Sequence, residues 1–183
     1  MSVTYNPQPT TITVSIMIKI IEATEKDFKT IQEIAHITWP DTYGSILSKD
    51  QLKFMLDLFY SEEALRKNVA EDGHHFLLAI EAGICLGFAD IEHNYKQNNR
   101  TRIHKIYILP EEQGKGIGRL LIDKIEILAK ENQSSHLSLN VNRFNNALLF
   151  YQRLGFEIIK EEDIKLDFGY LMEDYQMEKS IEQ

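Results

Sequence analysis

The chain has 183 residues, 43% of them hydrophobic and 26% charged, with a formal net charge of −8. That length suits one domain able to bury roughly two-thirds of its unfolded surface, and the composition is that of an ordinary globular protein. The acidic balance argues against non-specific nucleic-acid binding and is compatible with a cationic substrate, while no apolar run reaches the roughly 18 residues of a membrane span.

Residues 1–16, MSVTYNPQPTTITVSI, hold two of the four prolines and lack the basic start and long apolar core of a signal peptide. They read as a flexible tail ahead of a single domain over 17–183. Met17 heads the first apolar strand, 17–23, and offers a second translation start beside Met1. Thr24 then opens a helix as N-cap, with Asp27 three residues on. Phe28, Ile31, Ile34 and Ala35 keep helical spacing to about Thr38. Trp39-Pro40 is expected to end this helix, because the residue before a proline is driven out of helical geometry. Tyr43 then lies in a linker. Ser48-Lys49-Asp50-Gln51 is a capping-box pattern before a helix with Leu52, Met55, Leu56 and Phe59 on one face, and Ser61 caps a further helix to about Ala70.

Residues 76–80 and 84–92 read as a hairpin around Ala82-Gly83. His74 and His75, at the start of that hairpin, receive no role. Cys85 sits in an apolar run as a buried thiol, and a single cysteine excludes an intramolecular disulfide. No Cys/His group has the local spacing of a zinc site, so no metal is expected. A cytoplasmic protein fits these features. A polar loop over 94–100 leads to a strand over 103–109.

The most informative stretch follows: Pro110-Glu111-Glu112-Gln113-Gly114-Lys115-Gly116-Ile117-Gly118-Arg119. It joins that strand to a helix with apolar Ile117, Leu120, Leu121, Ile125 and Leu128. Glycines tolerate positive φ, and a helix N-terminus offers unpaired N–H groups, so the stretch reads as an anion cradle for a phosphate or pyrophosphate. The plain alternative is a glycine-rich turn without a ligand. A P-loop fails because Gly118 is followed by Arg119-Leu120, and a G-x-G-x-x-G fingerprint from Gly114 fails because residue 119 is Arg.

Leu137, Leu139 and Val141 alternate with Ser138, Asn140 and Asn142, giving a strand with one polar face. Asn145 is placed as the cap of a helix bearing Ala147, Phe150, Tyr151 and Leu154, with Phe144 and Leu149 as a hydrophobic staple and Gly155 at its C′ position. Strands over 156–159 and about 170–177 close the chain. The order of elements favours a mixed sheet with helices on both faces.

Three signals now stand in one order: Gln113-x-x-Gly116-x-Gly118 after a strand, Asn142 with Asn145 and Asn146, and Ala147-x-x-x-Tyr151-x-x-x-Gly155-Phe156. Together they resemble the GNAT superfamily of N-acetyltransferases, over about residues 17–179 and most strongly over 103–156. The family's asparagine often stands seven residues before the tyrosine, where this chain has Phe144, with Asn145 at six. The resemblance implies an α/β (α+β) fold with a mixed, mostly antiparallel sheet of about seven strands. It implies transfer of an acetyl group from acetyl-CoA to a primary amine of a small molecule or peptide. No nucleic acid or membrane partner is expected, and a homodimer is compatible with the family.

The same resemblance implies roles. Backbone N–H groups of Gln113, Gly114, Lys115, Gly116, Ile117, Gly118 and Arg119 would hold the pyrophosphate, with Lys115 and Arg119 adding charge or simply solvating a helix start. Tyr107, Ile108 and Leu109 would pair with the pantetheine arm through their backbone and offer an N–H to the developing oxyanion, and Asn142 and Asn145 are further cofactor contacts. Tyr151 would protonate the departing thiolate, against the ordinary reading of a core tyrosine. His104, with an ordinary pKa of about 6.5, and Glu92 are candidates to take the ammonium proton. Trp39 and Tyr43 would wall the acceptor pocket, or be ordinary packing. A CoA-binding sensor without turnover, or an enzyme using another acyl-CoA, remain alternatives.

Overall fold

The computed structural model of the chain describes residues 17–181, so the expected tail over 1–16 lies outside the described residues. Seven strands and five α-helices are formed among them. The strands are β1 (Lys19–Glu22), β2 (His74–Glu81), β3 (Ile84–Glu92), β4 (Arg100–Ile108), β5 (His136–Asn142), β6 (Glu157–Lys165) and β7 (Leu171–Ser180). The helices are α1 (Phe28–Tyr43), α2 (Lys49–Tyr60), α3 (Glu62–Ala70), α4 (Ile117–Glu131) and α5 (Ala147–Arg153).

One sheet carries all seven strands in the order β1-β2-β3-β4-β5-β7-β6. Every neighbouring pair is antiparallel except β4 with β5, which run parallel. Alternation along the strands divides the apolar residues between two cores. Leu77, Ala89, Ile103, Leu137 and Leu139 pack with Leu121, Ile122 and Ile125 of α4 and with Tyr151 of α5. Phe76, Leu78 and Phe88 pack on the opposite face with Ile31 and Trp39 of α1, Leu56 and Tyr60 of α2 and Leu65 of α3. The mixed, mostly antiparallel sheet with helices on both faces is therefore as expected.

Local chemistry sets most boundaries. Ser48 accepts a hydrogen bond from Gln51 N and Ser61 from Ala64 N, so both serines cap the helices assigned to them. Ala82 and Gly83 take φ of 50° and 82°, the two left-handed residues of a tight hairpin turn. Gly155, with φ +87°, ends α5: Phe156 N donates to Tyr151 O and Gly155 N to Gln152 O. This is a Schellman cap, with the Phe156 ring against that of Tyr151 at 5.7 Å as its apolar contact.

Four expectations change. Pro40 does not stop α1, which runs to Tyr43. Its missing N–H removes one helical bond, but its carbonyl still accepts from Gly44 N at 3.0 Å, and Trp39 packs on Tyr43 with ring centroids 4.9 Å apart. Thr24 caps a single 3₁₀ turn, Glu25–Asp27, rather than opening the α-helix directly. Cys85, expected as a buried thiol, is only half-buried. Phe144 and Leu149 are 64% and 58% exposed, so any staple between them buries little.

Candidate functional site

The sheet opens where its two parallel strands part. β4 and β5 pair only over Arg100–Ile103 with His136–Leu139, and each then runs on without the other. Two facing strand edges result, with residues 103–108 on one side and 139–142 on the other. Both line a cavity of about 910 Å³ that also reaches Trp39, Tyr43, Gln113 and Tyr151.

The glycine loop stands at the mouth of this cleft. Gly114 and Gly116 take φ of +76° and +83°, and Gly116 is the N-cap of α4. A Cβ added at either would meet nothing within 4 Å, so the backbone hand, not crowding, calls for glycine. The helical ladder of α4 begins with the bond from Leu120 N to Gly116 O, which leaves the N–H groups of Ile117, Gly118 and Arg119 ahead of it. Gly118 serves packing instead: a Cβ there would come within 3.0 Å of Phe150 and 3.3 Å of Ile108. Lys115 and Arg119 are both occupied at the surface, Lys115 by Glu112 and Arg119 by Asp123, each at 2.8 Å. What the loop offers an anion is N–H groups and a helix dipole, with the two cations close by but paired.

Deeper in the cleft, four groups form a polar floor. The hydroxyls of Tyr43 and Tyr107 lie 3.3 Å apart. Tyr151 is buried, and burial, with a smaller contribution from Tyr43, raises its pKa above the ordinary tyrosine value. It therefore keeps its proton at neutral pH. Asp174 of β7, 3% exposed, also lines the cavity. Burial lifts its carboxyl to about 6, although Asn140, Arg102 and Arg143 partly offset this. Trp39 forms the wall, its indole N–H donating to Tyr60 Oη at 3.3 Å.

A second titratable group sits on β2, β3 and β4. His104 Nε2 lies 2.9 Å from Glu92 Oε2, and a carboxylate can only accept, so that nitrogen carries the proton. The His104 ring stacks on His74, with centroids 4.2 Å apart and planes 16° from parallel. His74 Nδ1 in turn meets both oxygens of buried Asp90 at 2.8 and 3.0 Å, and Lys105 pairs with the same carboxylate. Burial would raise Asp90, but Lys105 and His74 hold it below the ordinary aspartate value. Burial lowers His104 to about 3, more than Asp90 nearby can restore. Burial also raises Glu92. A β-bulge makes this group: the register passes from Asp90↔Lys105 to Ile91↔Ile103 and skips His104. Both His104 and Lys105 consequently face the α1 side of the sheet, where strict alternation would separate them.

Residues 46–179 match the model of the acetyltransferase (GNAT) domain family. The chain belongs to the GNAT family. It is 26% identical over 146 residues to a spermidine N(1)-acetyltransferase of Thermoplasma acidophilum, covering 77% of this chain and 89% of that protein. It is 28% identical over 150 residues to an uncharacterised N-acetyltransferase from the pepI 3′ region of Lactobacillus delbrueckii subsp. lactis, covering 79% and 87%. The crystal structure of PaiA N-acetyltransferase from Thermoplasma acidophilum in complex with coenzyme A superposes with a TM-score of 0.75 at 25% identity, covering 91% of this chain and all of that one.

Within this GNAT chain the cleft brings together most residues singled out from the sequence. Trp39, Tyr43, His104, Tyr107, Ile108, Gln113, Gly114, Asn142, Asn145 and Tyr151 all line the one cavity. Asn142 and Asn145 spend their side-chain oxygens locally, accepting from Phe144 N at 3.1 Å and Ala147 N at 2.8 Å. Glu92 lies beside His104 behind the cavity wall. Two residues escaped sequence reasoning. His74, set aside as remote, is in ring contact with His104 because β2 pairs antiparallel with β3, putting His74 opposite Glu92. Asp174 sits in a strand whose alternation carried no catalytic signature; only the register Asn142↔Asp174 brings it to the cleft. No helix among the described residues is long and apolar enough to cross a membrane.

Proposed function

We propose that the protein transfers an acetyl group from acetyl-CoA to a primary amine of a small molecule or peptide. One observation carries this reading: Gln113 and Gly114 of the glycine loop and the parted edges of β4 and β5 line one cavity together with Tyr151 and Asp174. The residues fit the donor. The N–H groups at the start of α4 suit a pyrophosphate, and the edge of β4 at Tyr107 and Ile108 can hold an amide-bearing arm as an added strand, whereas Leu109 already donates to Leu86 O and accepts from Glu112 N. The thioester of acetyl-CoA supplies the activated acyl group.

Tyr151, protonated at neutral pH, gives its proton to the departing thiolate sulfur. The acceptor enters as an ammonium and must lose a proton before its nitrogen can attack. Asp174, lifted to about 6 by burial, is matched to that task. His104, at about 3, holds a proton too weakly, and Glu92 does not line the cavity, so His104 and Glu92 are assigned no direct part in it. Trp39 and Tyr43 exclude water and present aromatic faces, which attract a cation.

Incubating the full chain with acetyl-CoA and a panel of amines, including spermidine, other polyamines and short peptides, tests the reading. Amine-dependent thiol release and a mass gain of one acetyl group on an acceptor is the expected result. Tight CoA binding without release on any amine would overturn it in favour of a binding module, and release only with longer acyl-CoAs would correct the donor.

A further inference from the structure

His74, Glu92 and His104 come from three adjacent strands, and the proposed reaction uses none of them. Their donor atoms nevertheless converge, all lying within 4.8 Å of one another. His74 is the informative member. Asp90 accepts the Nδ1 proton, so in the neutral ring the lone pair is on Nε2. That nitrogen lies 3.9 Å from Glu92 Oε2, too far for a hydrogen bond. Two electron-rich atoms thus face each other across a gap. Donors bound to one zinc-like ion at about 2.0–2.2 Å each stand about 3–4 Å apart, and the separation of His74 Nε2 from Glu92 Oε2 lies in that range. His104 Nε2 reaches the same carboxylate oxygen at 2.9 Å.

The surroundings are those of a held ligand set. Buried Asp90 fixes the tautomer and the plane of His74, and Lys105 and Asp90 are themselves paired. A carboxylate behind a metal-bound imidazole does the same in metalloproteins. The stacked rings turn both Nε2 atoms toward Glu92, and His74 and His104 lie on the wall of the large cavity, which gives an ion a way in.

We propose that His74, Glu92 and His104 bind one divalent transition-metal ion of the zinc class, with Asp90 orienting His74 and a coordination position left open toward the cavity. Two imidazoles and a carboxylate suit Zn²⁺, Ni²⁺ or Cu²⁺, whereas Mg²⁺ and Ca²⁺ favour oxygen-only sets. On binding, His104 moves its proton from Nε2 to Nδ1 and presents the freed lone pair, so the ring keeps its proton count.

The inference goes beyond the acetyltransferase reading and is measured without acetyl-CoA or amine, so either can fail alone. The full chain, stripped with chelator, is titrated with Zn²⁺ by calorimetry and with Co²⁺ by visible absorption. One equivalent should bind, with Co²⁺ giving the bands of a four- or five-coordinate nitrogen–oxygen site. His74→Gln and His104→Gln should each weaken binding at least tenfold, and Asp90→Asn by about 10–100-fold through loss of orientation. His75→Gln, on the neighbouring position of β2, should leave it unchanged. Circular dichroism checks each fold, and Glu92→Gln replaces any variant that does not fold. Absence of stoichiometric binding, or binding that survives both His74→Gln and His104→Gln, overturns the proposal.

Discussion

At Tyr151 and Asp174 one cause, burial, suits two groups to the opposite tasks proposed for them. Burial raises both, which keeps the tyrosine protonated and brings the carboxyl to about 6, near neutral operation. Tyr151→Phe keeps the ring packing on Phe150 and Phe156, so turnover should fall about 10²–10⁴-fold with little change in melting temperature. A wild-type rate would move thiolate protonation to another group. Asp174→Asn should also lower turnover, yet it should stabilise the fold. The folded carboxyl titrates above its unfolded value, so its stabilising contribution is complete at pH below about 4 and is lost as pH rises through about 6. At pH 8 the variant should therefore gain up to roughly 3 kcal/mol over wild type, a difference that shrinks toward pH 4. Urea melts at both pH values measure this, and a destabilised variant at pH 8 would show that Asp174 is fully compensated by its partners.

Single elements place these groups. The loop before α4 depends on two left-handed glycines with empty space around them, so a Cβ at 116 meets no clash and Gly116→Ala fails only through its backbone, at a cost of about 1–2 kcal/mol. Its consequence should be a Michaelis constant for acetyl-CoA raised tenfold or more, with the fold retained. Unchanged affinity for CoA would remove the cradle assignment. In α1 the opposite lesson applies. Local preference would stop the helix at Trp39, but Trp39 also packs on Tyr60 and Tyr107, with ring centroids 5.7 and 6.0 Å away. That packing outweighs the missing hydrogen bond at Pro40 and carries Tyr43 into the cleft on the last turn.

For the molecule as a whole, the cleft is where the two cores meet the parted strands, so filling it should couple to global stability. CoA at about a hundred times its dissociation constant should add about 2.7 kcal/mol, read as a rise of several degrees in melting temperature. No shift at millimolar CoA would contradict the proposed donor site.

Much of this was legible in the residues. The capping serines, the glycine turn of the hairpin, the Schellman glycine at Gly155 and the strand–glycine–helix junction at Gly114–Gly118 are local devices, each written in a few consecutive residues whose backbone needs are specific. The element order, and the expectation of a cradle, followed from them. The paired His74 and Glu92, the bulge that turns His104 toward them, and the burial that tunes Asp174 depend on strand register and on what packs against each strand. Those are relations between residues 12 to 32 or more positions apart in the chain, from Glu92 to His104 and from Asn142 to Asp174. Sequence fixes which side chains exist; only their pairing across the sheet decides which of them share water-free space, and it is that desolvation that sets their chemistry.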